Sequence, residues 1–430
     1  MNKIEKVIIE KFWGDKDVSL KFRDDVNFLI GVNGSGKTTI INLIAATLKA
    51  DFATLDKFNF KKINIALKPL IVDSTTKKTA FIEVDKTEKE NSPYPNIIVK
   101  IKRYTDLEPK KYLLDQLEEE YMYRQQQDYL IQKRLVRGNR LEKDVNLALQ
   151  ELVNVSWLSI HRTTVTSRRR EERSFESTID VKIEELQIEL VKYFSQLNRK
   201  YTIETEKFQK YIFESLIDTP VNTFGATTDI DAEKEQNSLK QIFIHFKLDD
   251  NDFSPKLDKY FTSYYESIKR LDGPEALTIS DLGYLIGTRR IHSVVQEWSK
   301  VLEMQKNINK TKETFLLVIN NLLLRKELFI NEKNELTVKT DSGKIFPLTI
   351  LSSGEKQLLI ILGQSLLQEE NTHIYIADEP ELSLHVEWQE KLVSSLKALN
   401  PNSQIIFATH SPDIVGEYTE SVIKIEEAIK

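Results

Sequence analysis

Gly31-Val32-Asn33-Gly34-Ser35-Gly36-Lys37-Thr38-Thr39 fills every fixed position of the phosphate-binding pattern G-x-x-x-x-G-K-[ST]. The flanks suit it. Val26-Asn27-Phe28-Leu29-Ile30 before it is a short apolar run rich in β-formers, and Ile40, Ile41, Leu43, Ile44, Ala45 and Leu48 after it recur at helical spacing. The reading is strand, glycine loop, helix. Glycines let successive backbone N–H groups turn toward phosphate oxygens, and the helix N-terminus adds its positive dipole end. Lys37 is placed to reach the β- and γ-phosphates of a nucleotide, and the Thr38 hydroxyl to reach a Mg²⁺ that keeps several waters.

Composition bounds the rest. A chain of 430 residues, 40% hydrophobic and 30% charged, is longer than one average domain and has an ordinary soluble balance, so two domains or one with a large insertion are expected. It has no cysteine, which excludes disulfides, thiolate metal sites and thiol catalysis. Its six histidines are too scattered for a metal cluster. The net charge of −5 gives no global basic field, so nucleic-acid contact would need a local patch. The first residues lack the apolar core of a signal peptide, and no window reaches ~18 uninterrupted apolar residues. A cytoplasmic protein with no membrane contact is expected.

In chain order, Ile4 to Ile9 and Val18 to Phe22, with Gly14-Asp15 between them, predict a hairpin. Phe12 and Trp13 near its tip either stack on adenine or pack as core. Alternating runs at 63–67, 80–84 and 97–101 predict antiparallel strands with one solvated face. From about residue 110 the pattern becomes polar and helical, with a β-like island at Val155 to Ile160 that reads as a core strand returning to the first domain. Ser167 to Arg173 carries four arginines and two glutamates: a phosphate-backbone contact, or a solvated charged face. Asp180 opens a helix striped by Ile183, Leu186, Leu190, Phe194, Leu197 and Tyr201. Further helices are predicted near 239–246, 257–271 and from about 293 to 326, with loops at 217–237 and 272–281.

The last hundred residues return to α/β signals. Leu328 to Asn331 and Leu336 to Lys339 predict a hairpin. Leu351-Ser352-Ser353-Gly354-Glu355-Lys356-Gln357 opens an apolar helix, with Ser353 and Gln357 reading as its cap. His373 to Ala377 is a strand that ends in Asp378-Glu379, two carboxylates at the C-terminal edge of a parallel sheet, where such sheets bind ligands. Asp378 would hold Mg²⁺ through water, and Glu379 would accept a proton from an attacking water. Gln404 to Thr409 is a second buried strand ending at His410, which could donate a hydrogen bond to the γ-phosphate.

Taken in order, Gly31 to Thr39, Leu351 to Gln357, Ile374 to Glu379, Ser383-Leu384-His385 and Thr409-His410-Ser411 resemble the phosphate loop, signature, carboxylate strand, subunit-contact loop and switch histidine of ABC-type ATPase heads. Ser353 stands where transporters usually have glycine, and Glu355-Lys356 follows, which is similar to the SMC, Rad50 and RecF branch. The compact size looks most like the stand-alone ATPase subunits of bacterial anti-phage systems such as Septu, PARIS and retron-associated ones.

The resemblance implies an α/β ABC-type head, with a mixed sheet and an antiparallel β subdomain, split by a mostly helical insertion: 1–109 and 328–430 form the head, and 110–327 the insertion with a core strand near 155–162. It implies ATP and Mg²⁺ held by Asn33, Gly34, Ser35, Gly36, Lys37, Thr38 and Thr39, metal contacts from Thr38 and Asp378, and catalysis by Glu379 and His410. Ser353, Gly354 and Glu355 would serve the nucleotide of a second copy, so a homodimer or higher homo-oligomer is implied. The chain would then be an ATP-hydrolysing sensor or scaffold of a defence complex, with a separate effector, a nuclease being expected. The alternative is a RecF- or Rad50-like repair ATPase that contacts DNA. The family's Mg²⁺-touching glutamine has no clear counterpart, since Gln116 and Gln125 to Gln127 lie in a helical-looking stretch.

Overall fold

The computed structural model describes residues 1–69, 79–87, 95–113, 144–158, 178–217 and 230–430. The chain divides into two compact units, residues 1–191 with 314–430, and residues 192–313. The second unit lies inside the segment 110–327 marked out by the sequence.

In the first unit β1 (Asn2–Phe12), β2 (Lys16–Lys21), β3 (Val26–Ile30), β4 (Lys62–Pro69), β5 (Ala80–Thr87), β6 (Asn96–Lys102), β7 (Lys110–Leu113) and β8 (Val155–Leu158) are followed by β9 (Lys326–Ile330), β10 (Leu336–Thr340), β11 (Ile345–Phe346), β12 (Ile374–Asp378), β13 (Gln404–Ala408) and β14 (Val422–Lys424). A six-stranded antiparallel sheet has the order β2-β1-β4-β5-β6-β7, and β9 to β11 form a small antiparallel sheet. A five-stranded sheet of order β14-β3-β13-β12-β8 is parallel throughout.

The expected hairpin, the three alternating strands and the returning strand are therefore present, and the last is β8, paired in parallel with β12. In the described residues β7 occupies the start of the stretch read as helical, and β11 extends the later hairpin to three strands. Among the runs expected to be functional or looped, 70–78, 88–94, 114–143, 159–177 and 218–229 lie outside the described residues, including Gln116, Gln125 to Gln127 and Arg168 to Arg173.

β3, β12 and β13 are almost wholly buried and read as continuous apolar runs, as central strands of a parallel sheet must. The helix Lys37–Lys49 is apolar on most of its circumference because it packs against β8, β12 and β13 of one sheet and β5 of the other. Ile40, Ile41, Leu43 and Ile44 are fully buried in the core that joins both sheets. This wedged helix fixes the loop that precedes it.

The two sheets are also stitched by one polar side chain. Gln404, fully buried at the start of β13, accepts from the Ile4 N–H at 2.8 Å and donates to the Ile4 and Arg23 carbonyls at 2.8 Å each. Ile4 lies where the β1–β4 register shifts, so Gln404 supplies what the ladder lacks. Gln404→Leu keeps the volume but strands buried backbone groups, and is expected to cost about 2–4 kcal/mol in urea unfolding; a loss below about 0.5 kcal/mol would mean that water takes over these bonds.

In the second unit the helices are Thr178–Ile217, which begins in the first unit, Ala232–His245, Asp250–Leu271 and Ile279–Asn320, which ends in the first. The last begins well before residue 293, and residues 279–281 of the expected loop are helical. Gly283 and Gly287 hid that start. At Gly287 an added Cβ would strike the Tyr260 hydroxyl of the neighbouring helix, so packing rather than propensity placed glycine there.

Candidate active site

The parallel sheet brings the separated motifs to one edge. β3, β13 and β12 are consecutive neighbours, so the loop after β3, Asp378-Glu379 at the end of β12 and Thr409-His410 after β13 emerge side by side at the C-terminal ends of the strands.

In the loop, Gly34 and Gly36 have φ of 82° and 96°, the left-handed region that favours glycine. Gly36 is constrained twice. A Cβ there would lie 2.9 Å from Trp13 Cη2 and 3.2 Å from Phe12 Cε1. Gly36→Ala is expected to weaken nucleotide binding about tenfold, because strain and clash together cost on the order of 1–2 kcal/mol; a dissociation constant unchanged in a direct titration would refute this reading of the loop.

Lys37 is buried, and its Nζ donates to the Gly31 carbonyl at 2.7 Å and the Val32 carbonyl at 3.1 Å. Burial pushes its pKa down, while Glu379, Glu426 and Asp378 pull the other way. The Ser35 hydroxyl is buried with no hydrogen-bond partner in the chain, an orphaned donor inside a loop shaped for anions. Thr38 Oγ1 donates to Asp378 Oδ1 at 3.2 Å across 340 residues of sequence. Hydroxyl and carboxylate oxygens so close together are hard donors of the kind a hydrated Mg²⁺ takes. Among the described residues no group of three or more His, Cys, Asp or Glu could hold a metal ion, and a Mg²⁺ bound partly through phosphates and water does not require one.

Glu379 has φ of 49°, a strained conformation for a residue with a side chain. Its N–H donates to the Ala408 carbonyl at 2.8 Å, which carries the β12–β13 pairing one residue further. His410 is exposed, and its N–H donates to Glu381 Oε1 at 3.0 Å, an oxygen that also accepts from Thr409 Oγ1 at 2.5 Å. The buried Glu381 thereby ties the carboxylate turn to Thr409 and His410.

The signature turn corrects one local reading. The helix Ser353–Leu366 is capped by Ser352, not Ser353, in a capping box with Glu355. Glu355 accepts from the Ser352 N–H at 2.7 Å and pairs with Lys326 at 2.8 Å, so its carboxylate is engaged inside its own subunit. Freed from capping, Ser353 is exposed. At Gly354 a Cβ would lie 2.5 Å from the Ser383 carbonyl, and Gln357 Nε2 donates to the Pro380 carbonyl at 2.9 Å. The signature helix is therefore seated on the turn that follows Glu379.

The two aromatic alternatives divide. Phe12 is fully buried, whereas Trp13 is 44% exposed, stacked on Phe12 at 4.5 Å and beside the loop at Gly36. Sequence reading missed Glu381, and it missed Glu426, whose Oε1 accepts from the Val32 N–H at 2.7 Å. Only the order of strands reveals the second, since β14 delivers it from 394 residues away. No helix among the described residues is long and apolar enough to cross a membrane.

Three curated relatives share parts of the chain. The retron Vc95 "probable ATPase" of Vibrio cholerae is 26% identical over 195 residues, 38% of this chain and 37% of that protein. The Rad50 double-strand break repair ATPase of Saccharolobus solfataricus is 28% identical over 156 residues, 33% of this chain and 17% of that protein. The Septu protein PtuA of Bacillus thuringiensis is 30% identical over 95 residues, 19% of this chain and 24% of that protein. The chain thus spans little more than a third of the length of these relatives, or less. Among solved structures, the Smc head domain of Pyrococcus furiosus overlaps 96% of this chain and 91% of its own, with a TM-score of 0.42 and 13% identity. The AAA ATPase domain model matches residues 2–415, nearly the whole chain, which therefore belongs to the AAA ATPase domain family.

Proposed function

We propose that this chain binds ATP with Mg²⁺ and hydrolyses it at a site completed by a second copy. The observation that carries the reading is the Thr38–Asp378 contact at 3.2 Å beside the buried Lys37. Asn33 to Thr39 cradle the phosphates, Lys37 meets the β- and γ-oxygens, and Trp13 offers a face for adenine. Thr38 and Asp378 would hold Mg²⁺, which when bound neutralises phosphate charge. Glu379 takes a proton from water as the water oxygen bonds to the γ-phosphorus and the bond to the β,γ-bridging oxygen breaks, giving ADP and phosphate. His410 donates to a γ-oxygen. The exposed Ser353 approaches that phosphate from the second copy, with the buried Gly354 beside it seated on the Ser383 carbonyl, and Glu355 holds their turn through Ser352 and Lys326.

The biological role we infer is that of a sensor or scaffold in a cytoplasmic anti-phage complex, holding a separate effector, most simply a nuclease. The resemblance to the retron and Septu proteins supports it. A repair role is the second reading, favoured by the stretch shared with Rad50. Purification together with the products of neighbouring genes, with ATPase rates measured with and without duplex DNA, tests both. A co-purifying effector and DNA-independent rates are expected; hydrolysis stimulated by DNA with no second protein would overturn the defence reading.

A further inference from the structure

Glu426 stands against the phosphate loop although no motif includes it. Its Oε1 accepts from the Val32 N–H at 2.7 Å, and a Cβ on Gly31 would lie 2.7 Å from the same oxygen. The contact is held in place by the surrounding fold. β14 pairs with β3 through Val422–Phe28, Ile423–Leu29 and Lys424–Ile30, and Ile425 is fully buried. Beyond Glu426, Lys430 and Asp17 exchange N–H to carbonyl bonds of 3.0 and 2.8 Å, which fasten the segment to β2. Glu427, the neighbouring carboxylate, is paired instead with Lys424 at 3.1 Å.

A carboxylate fixed at the mouth of the loop acts on whatever the loop binds. The carbonyl that accepts from Lys37 at 2.7 Å belongs to Gly31, the residue Glu426 lies against, so ammonium and carboxylate oppose each other across one residue. The phosphates of a nucleotide are repelled by such an anion in proportion to their charge, and a triphosphate carries one charge more than a diphosphate. Glu426 is exposed to solvent, which limits the effect to a few-fold and makes it depend on salt.

We infer that Glu426 is a specificity residue of the nucleotide site: it anchors the Val32 amide near the start of the phosphate loop and sets how strongly a triphosphate is preferred over a diphosphate. This rests on the reading of the loop as a nucleotide site. By holding the triphosphate back, it narrows the difference between substrate and product, which favours exchange over retention.

The test is a titration of the full chain with the β,γ-imido analogue of ATP and with ADP, at low and at high salt. Glu426→Gln keeps shape and acceptor and removes the charge. It is expected to tighten the analogue about three- to fivefold and ADP about twofold at low salt, with both gains shrinking at high salt. Glu427→Gln makes the same change of net charge one residue away and should leave both constants unchanged. Equal gains for the two nucleotides, no gain, weaker binding, or the same gain from Glu427→Gln would overturn the inference. Wild-type protein that binds neither nucleotide would overturn the reading of the site as well.

Discussion

Replacing Glu379 by glutamine is expected to lower ATP turnover at least about a hundredfold without weakening ATP binding, because it removes the proton acceptor and one negative charge acting on Lys37. Glutamine has the size of glutamate and tolerates the same backbone, which matters at a residue with φ of 49° whose N–H is bonded to Ala408. The fall should therefore appear in kcat rather than KM. The check is steady-state hydrolysis beside a direct binding titration. Turnover that persists within about threefold would remove Glu379 as the base and leave the strained turn without a chemical purpose.

The second large effect belongs to Lys37. Its ammonium is buried and gives hydrogen bonds to two loop carbonyls, with Glu379, Glu426 and Asp378 close enough to act on it electrostatically. Lys37→Ala removes a cation that offsets those carboxylates, and it does so where a triphosphate must sit. A lost charge-assisted contact of about 3 kcal/mol corresponds to a loss of about a hundredfold in ATP affinity. Lys37→Met, which keeps length and apolar packing, should lose nearly as much. If the methionine variant bound ATP like wild type, charge would not be what the loop contributes.

Much of this site was legible because its parts are short and contiguous. Gly31 to Thr39 forms its cradle within nine residues, and Asp378-Glu379 and His410 each follow a strand whose apolar run announces it. Parallel strands add the rest, since their C-terminal ends meet at one edge. What stayed hidden depends on strand order. Gln404 reads as the first residue of a buried strand, and nothing near it shows that Ile4 lies opposite across the two sheets. Glu426 sits in a charged stretch with no pattern, and becomes part of the site only because β14 lies beside β3. Glu381 looks like the third carboxylate of an acidic turn, yet it holds the Thr409 hydroxyl and the His410 amide.

The signature turn shows how a local error can matter. Two adjacent serines offer two caps, and sequence alone preferred the second. Because Ser352 is the cap, Ser353 keeps its hydroxyl for another partner, and the seating of Gly354 on Ser383 and of Gln357 on Pro380 orients it outward from the carboxylate turn. That geometry is consistent with a serine that serves a nucleotide held elsewhere, and it gives the two-copy reading its most exposed test.

The mass of the Glu379→Gln protein in solution, measured by light scattering with ATP, with ADP and with neither, tests that claim most directly, because blocked hydrolysis should trap the closed state. Mass should double with ATP alone relative to the nucleotide-free form, and Ser353→Arg in the same background should abolish the doubling while ATP still binds. A mass that ignores nucleotide, or a Ser353→Arg variant that still doubles, would contradict a site shared between two copies.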